Sequence, residues 1–177
     1  MLFYSTNLTA EVCGLAATQA RLGGVAEISG SAAEMTRWLG ENYGVMSDFK
    51  DHSGLSDQNL ISGADMTALL VAVGPDGPLR PLLKRIAMLD ADGNRMEAYP
   101  VEVRAKTGTL NFVSSLAGYL KTSDGADLVF AIFAADVDQR ERAKAVGDEI
   151  PAGAAEWNRR AKGLQQRLLQ RWGLVSR

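Results

Sequence analysis

Three short segments hold the residues best suited to chemistry: Ser5-Thr6-Asn7, Asp51-His52-Ser53-Gly54-Leu55-Ser56 and Lys106-Thr107-Gly108-Thr109. The chain has one cysteine, Cys13, and one histidine, His52. Disulfide frameworks, paired-thiolate zinc sites and histidine relays therefore lack material. Chemistry here must run on hydroxyls, carboxylates, amides and ammonium groups. The segments differ in weight. A Ser-x-Asn triplet arises by chance in about half of chains of this length, so alone it carries nothing. Lys-Thr-Gly is expected by chance in on the order of a few per cent of such chains. It also ends a predicted strand that opens into a hairpin, where a glycine lets a ligand backbone come close. His52 and Ser53 do not read as a catalytic pair, because adjacent side chains point apart in extended chain. Nor is there a Gly-x-Ser-x-Gly elbow, since Asp51 stands where its first glycine belongs.

The whole chain bounds the possibilities further. Its 177 residues suffice for one domain, and a chain near that size buries about 70% of its unfolded surface. A formal charge of -2 removes the basic face that phosphate neutralisation needs, so nucleic acid is not an expected partner. No apolar run approaches the roughly 18 residues of a membrane helix, so no transmembrane segment is expected. Asp90 and Asp92 hint at a calcium loop, but Gly93 comes too early and no closing glutamate follows, which leaves a turn. Neither metal nor cofactor is implied. Cys13 falls on the apolar side of a predicted helix and reads as a small core residue.

The elements that must position these residues are helices, then strands, then a helix, which is the α+β class. Residues 6–20 read as a helix with Leu8, Val12, Leu15 and Ala16 at helical spacing, ended by Gly23-Gly24. Residues 31–43 read as a second, with Ser31 and Glu34 in a capping-box pattern. Ser62 caps a third over 63–73, and a short helix is expected over 80–88. From Pro100 the character changes. Residues 101–105, 112–120 and 128–134 read as three antiparallel strands, with Ser123-Asp124-Gly125 turning the last hairpin. A helix over 154–172 closes the chain, with Trp157, Ala161, Leu164, Leu168 and Trp172 as its apolar stripe. The basic residues on its other sides read as a solvated face.

Ser-x-Asn at a helix start, followed far downstream by Lys-Thr-Gly-Thr on a strand, is two-thirds of the signature of the penicillin-recognising enzymes. On these residues the chain resembles the low-molecular-weight class C penicillin-binding proteins, the D-Ala-D-Ala carboxypeptidase/endopeptidase family. The likeness runs over most of the chain. Residues 5–11 are similar to that family's second motif and its following helix, and residues 105–111 to its third. Residues 51–56 are similar to its Asp-Gly-Ser-Gly-Leu-Ser segment, with His52 in place of a glycine.

The family's first motif, Ser-x-x-Lys, supplies the acyl-accepting serine and precedes the other two. The one Ser-x-x-Lys here, Ser47-Asp48-Phe49-Lys50, follows Ser5-Thr6-Asn7 and runs into a turn. A working pair needs a helix to set serine and lysine on one face, so Ser47 reads as a decoy. The expectation is therefore that residues 1–177 are the C-terminal portion of a transpeptidase-like domain, with the nucleophile motif lying upstream. The resemblance implies an antiparallel sheet flanked by helices, present here in part, and serine-type hydrolysis of peptidoglycan stem peptides through an acyl-enzyme. It implies that Ser5 relays a proton to the leaving amine and that Asn7 holds the substrate amide. Lys106 biases Ser5 and attracts the substrate's terminal carboxylate. Thr107 and Thr109 donate to that carboxylate, Gly108 completes the motif, and the Thr109 N–H suits the oxyanion. The implied ligands are stem peptides ending in D-Ala-D-Ala, with β-lactams as inhibitors, and the implied location is the periplasm. A different reading is a non-catalytic module that binds D-Ala-D-Ala peptides or a partner.

Overall fold

A computed structural model describes residues 1–24 and 27–174. Residues 1–74 and 75–177 form two compact units.

The first unit opens with α1 (Asn7–Leu22) and α2 (Ile28–Tyr43). Gly23 ends α1 and Gly44 ends α2, both in the left-handed conformation that glycine adopts without penalty. The two helices meet through small and polar residues. Ala10 and Thr18 are the buried residues of α1, and Ser31, Ala32 and Leu39 those of α2. The expected stripe on α1 is displaced: Leu8, Val12 and Ala16 are exposed, because α2 packs on the neighbouring face. Cys13 is exposed too, so it is not a core residue. The capping box also fails. Glu27 is the N-cap of α2, and Ser31 lies a turn inside, fully buried, its hydroxyl spent on tertiary bonds rather than on its own helix. A two-residue ladder, β1 (Ser47–Asp48) with β2 (Leu60–Ile61), closes the intervening loop. Ser62 then caps α3 (Gly63–Val73), its side chain accepting from the Asp65 N–H at 3.0 Å.

The second unit is built on one antiparallel sheet of four strands in sequence order: β3 (Lys84–Ile86), β4 (Glu102–Leu110), β5 (Val113–Lys121) and β6 (Asp127–Ala135). The short helix expected over 80–88 is instead a single 3-10 turn, Arg80–Leu82, followed by β3. Pro81 favours the turn, and β4 offers an open edge that β3 pairs. Strand β4 runs five residues past its predicted end, and β5 and β6 one residue each, with an unbroken register from Glu102↔Lys121 to Leu110↔Val113. The β4–β5 turn passes through Phe112 at φ 57, an uncommon conformation for a bulky residue. Its ring is buried and meets Trp157 edge-on, with centroids 6.4 Å apart.

Helix α5 (Ala154–Leu174) covers one sheet face. Val103, Ala105, Leu116, Leu120 and Phe130 from the strands pack with Leu169 and Met88 to form the core. The buried residues of α5 are Ala154, Ala161, Gln165, Leu169 and Gly173. This register is rotated from the expected stripe, leaving Leu164 and Trp172 exposed. Small residues allow the close approach: a Cβ on Gly173 would lie 2.4 Å from a methyl of Val101. Gln166 and Gln170 then fasten the segment after β3, donating to the Ala87 and Leu89 carbonyls at 3.1 and 2.7 Å. A helix absent from the sequence reading, α4 (Val137–Ala145), follows β6. It is mostly polar and has no apolar period, but Asp136 caps it by accepting from the Gln139 N–H at 3.0 Å.

Candidate active site

In the first unit, Ser5 and Asn7 stand at the start of α1. Ser5 lies at φ 55, its N–H donating to the Met1 carbonyl at 2.9 Å, so residues 1–5 form a tight turn ahead of the helix. Such a conformation is uncommon for serine and is held by surrounding structure. Thr6 is the N-cap and makes no side-chain capping bond, and Asn7 begins the helix. Ser5 and Asn7 are both exposed.

The 51–56 segment is organised by Asp51. One carboxylate oxygen accepts from the Gly54 N–H at 2.6 Å and the Asn59 amide at 2.9 Å, and the other from the Ser56 N–H at 2.6 Å. Burial alone would raise the Asp51 pKa. The bonds from Ser56, Asn59, Gly54 and Ser53 outweigh it and hold the carboxyl below its ordinary value. Glu11 of α1 grips the same loop, its carboxylate accepting from the His52 N–H at 3.2 Å and the Ser53 N–H at 2.9 Å. The His52 ring lies over Gly14, where a Cβ would come within 2.2 Å of it. Nε2 is 2.9 Å from the Ser31 hydroxyl, which is 2.7 Å from Thr18 Oγ1 and donates to the Gly14 carbonyl. With Ser31's proton directed to the Gly14 carbonyl, the Ser31 oxygen is the acceptor in its contact with Nε2. Nδ1 is buried without a hydrogen-bond partner among the described residues. His52 thus ties the loop to both helices. Sequence carried no sign of this, since its partners lie 21 to 41 residues away.

Ser47 lies in β1, with its hydroxyl buried and lacking a partner among the described residues. Lys50 turns to Asp48 instead, Nζ to Oδ1 at 2.6 Å. The shared helix face that a Ser-x-x-Lys pair requires is absent at this position.

In the second unit, Lys106, Thr107, Gly108 and Thr109 are consecutive on β4. The β3 ladder covers only Val103, Arg104 and Ala105, so β4 continues beyond it. Strand alternation divides the motif. Thr107 and Thr109 share the face of Val103 and Ala105, towards α5, while Lys106 and Gly108 take the other face, opposite Ala117 and Ser115. Beyond Ala105 the β3 side of β4 is not paired by another strand among the described residues. Thr107 and Thr109 are exposed and Lys106 is half-buried. Lys106 Nζ donates to the Thr107 carbonyl, and burial pushes its pKa below the usual lysine value. Gly108 is required by its neighbour across the ladder: a Cβ there would lie 2.2 Å from Ser115 Oγ. Among the described residues no group of three or more His, Cys, Asp or Glu side chains could hold a metal.

Carboxypeptidase Rv3627c of Mycobacterium tuberculosis is 37% identical over 92 residues, which cover 46% of this chain and 20% of that protein. Penicillin binding protein 4 of Haemophilus influenzae, solved with a β-lactam, superposes at TM-score 0.60 with 18% identity, covering 96% of this chain and 40% of that one. The Bd0816 predatory endopeptidase of Bdellovibrio bacteriovorus, in complex with an immunity protein, superposes at TM-score 0.51 with 22% identity over 100% of this chain and 43% of that one. At such identities the solved structures show the shared fold, an α+β architecture of antiparallel sheet flanked by helices. The chain spans about a fifth of the curated relative's length and about two fifths of the solved chains. A family model matches residues 1–158: the chain belongs to the D-Ala-D-Ala carboxypeptidase 3 (S13) family of peptidases.

Proposed function

We propose that this chain carries the second and third motifs of a serine-type D-Ala-D-Ala carboxypeptidase/endopeptidase that hydrolyses peptidoglycan stem peptides in the periplasm, and that the acyl-accepting Ser-x-x-Lys is supplied by a segment outside residues 1–177. The observation that carries this reading is the course of β4. Its Lys106–Thr109 stretch runs past the β3 ladder, so its edge offers alternate backbone N–H and C=O groups to an extended peptide, the mode in which a strand is added to a sheet. Lys106 supplies a positive charge beside that edge for the carboxylate of a D-Ala-D-Ala terminus, and the exposed hydroxyls of Thr107 and Thr109 supply donors for it. Ser5 serves as the hydroxyl that passes a proton to the leaving amine, and Asn7 as the amide that orients the substrate. β-Lactams, which mimic the peptide, are the expected inhibitors.

The test is intact-mass spectrometry after incubation with benzylpenicillin, with peptide mapping of any adduct. The folded chain alone is expected to remain unacylated. It should bind a blocked D-Ala-D-Ala dipeptide weakly at β4, seen as shifts of the Lys106–Thr109 amide signals. An acyl group on Ser47 or another serine would show that the nucleophile lies within the chain. Tight peptide binding that persists in Ser5→Ala and Asn7→Ala variants would favour a non-catalytic binding module.

A further inference from the structure

Within the second unit, the β4–β5 turn that follows Thr109 is held by partners distant in sequence. All three of its carbonyls accept from other elements. Asn158 of α5 donates Nδ2–H to the Leu110 carbonyl at 3.0 Å. Arg140 of α4 donates from its guanidinium to the Asn111 carbonyl at 3.0 Å. The N–H of Asp136, the N-cap of α4, donates to the Phe112 carbonyl at 2.9 Å. The Asn111 side-chain amide in turn donates to the Glu149 carbonyl at 3.0 Å. The two side-chain donors lie 29 and 48 residues from their acceptors, so no local preference of the turn calls for them. Local preference in fact opposes this turn. Phe112 stands at φ 57, and a bulky residue keeps such a conformation only where its surroundings over-determine it. Here the ring is buried against Trp157 while the carbonyls on both sides are pinned. Strain of this kind gathers at functional sites.

The position of the clamp answers to what β4 lacks. The β3 ladder ends at Ala105, so Lys106 to Thr109 have β5 on one side and no strand on the other among the described residues. A strand end paired on one side only opens locally at low cost unless its terminus is tied down. We infer that Arg140 and Asn158 are positioning residues for the motif, holding the free edge of β4 in the geometry that receives the backbone of an extended ligand. Both act through carbonyls, and Leu110 is the residue next to Thr109, so the pinned Leu110 carbonyl sets the direction in which the strand leaves the motif. A strand edge ordered in advance removes an entropic cost from binding. This inference rests on the reading of β4 as the peptide-binding edge.

Two NMR readouts on the full chain test it. In native-state hydrogen exchange, Arg140→Ala and Asn158→Ala should each speed the amides of residues 107–111 about tenfold and leave the β5–β6 ladder unchanged. Titration with the blocked D-Ala-D-Ala dipeptide should show about fivefold weaker binding in both variants. Arg140→Lys keeps a donor for the Asn111 carbonyl and should recover most of that loss. Gln170→Ala serves as the control. It removes a bond from the same helix to the Leu89 carbonyl, away from the motif, and should leave dipeptide affinity as it was. Unchanged exchange at 107–111, faster exchange across the whole sheet, or an equal loss of affinity in Gln170→Ala would overturn the inference. A natural chain whose β4 amides ignore the dipeptide would sink the functional reading and the ligand role with it, while the exchange contrast would leave the clamp standing.

Discussion

Ser115 Oγ occupies the space where Gly108 would carry a side chain: a Cβ added to Gly108 would lie 2.2 Å from it, directly across the β4–β5 ladder. The glycine of the Lys-Thr-Gly motif is thus closely packed against a side chain of the neighbouring strand. Three positions further along the same ladder, a Cβ on Gly118 would meet the Arg104 backbone carbonyl at 2.1 Å. The two glycines are therefore expected to differ. In Gly108→Ala the obstacle is a hydroxyl that can rotate, so the cost should be about 1 kcal/mol. Adding Ser115→Ala should return most of it. In Gly118→Ala the obstacle is backbone that cannot yield, and the loss should reach about 3 kcal/mol with no rescue from Ser115→Ala. Urea denaturation of the four variants measures both. Equal losses at the two sites would refute the distinction.

The His52 ring and Gly14 make a second exclusive pair, and here a sign should reverse. Gly14→Ala in the natural background places a methyl against the imidazole and should destabilise by about 1–3 kcal/mol. In a His52→Gly background the ring is gone, and the same substitution should stabilise by about 0.5–1 kcal/mol, as alanine does within a helix. His52→Gly itself should cost about 2 kcal/mol, through the lost packing and the lost bond between the imidazole and the Ser31 hydroxyl. A Gly14→Ala effect of the same sign in both backgrounds would mean that the ring is not seated there.

Asp51 should link the 51–59 loop to pH. Its folded pKa is depressed, so its contribution is present above the unfolded value of about 3.9 and fades as pH falls through the lower folded value. Asp51→Asn removes a charged acceptor of several N–H groups and should lower stability by about 1–3 kcal/mol at neutral pH. The gap between natural chain and variant should shrink on acidification below about pH 4. A gap that is constant from neutral pH to pH 2 would contradict the assignment.

Lys106 should titrate below the ordinary lysine value of about 10.4, because burial disfavours its charged form. Between the folded and unfolded values the unfolded chain binds more protons, so stability should rise with pH across that window. Reductive ¹³C-methylation with NMR assigns the titration, and Lys106→Met identifies the signal. A midpoint at or above the ordinary value would show that the amine is solvated.

The sequence by itself determined what depends on neighbours along the chain. The glycine stops at 23 and 44, the Ser62 cap, the alternation through 101–105 and the turn at 123–125 are local preferences, and they placed three helices and the long hairpins correctly. The motif residues were legible because a type and a spacing survive in any conformation. Tertiary structure decided what depends on partners distant in sequence. Residues 80–88 became turn and strand rather than helix because β4 had an edge to pair. Helix α4 formed without an apolar period because Asp136 caps it. The buried faces of α1 and α5 were rotated from their most apolar stripes, since close approach selects small residues such as Gly14, Ala161 and Gly173 over large ones. The same cause hid the tertiary tasks of His52 and Ser31: a side chain's role in a core is set by which atoms lie within a few ångströms, and those atoms come from 13 to 41 residues away.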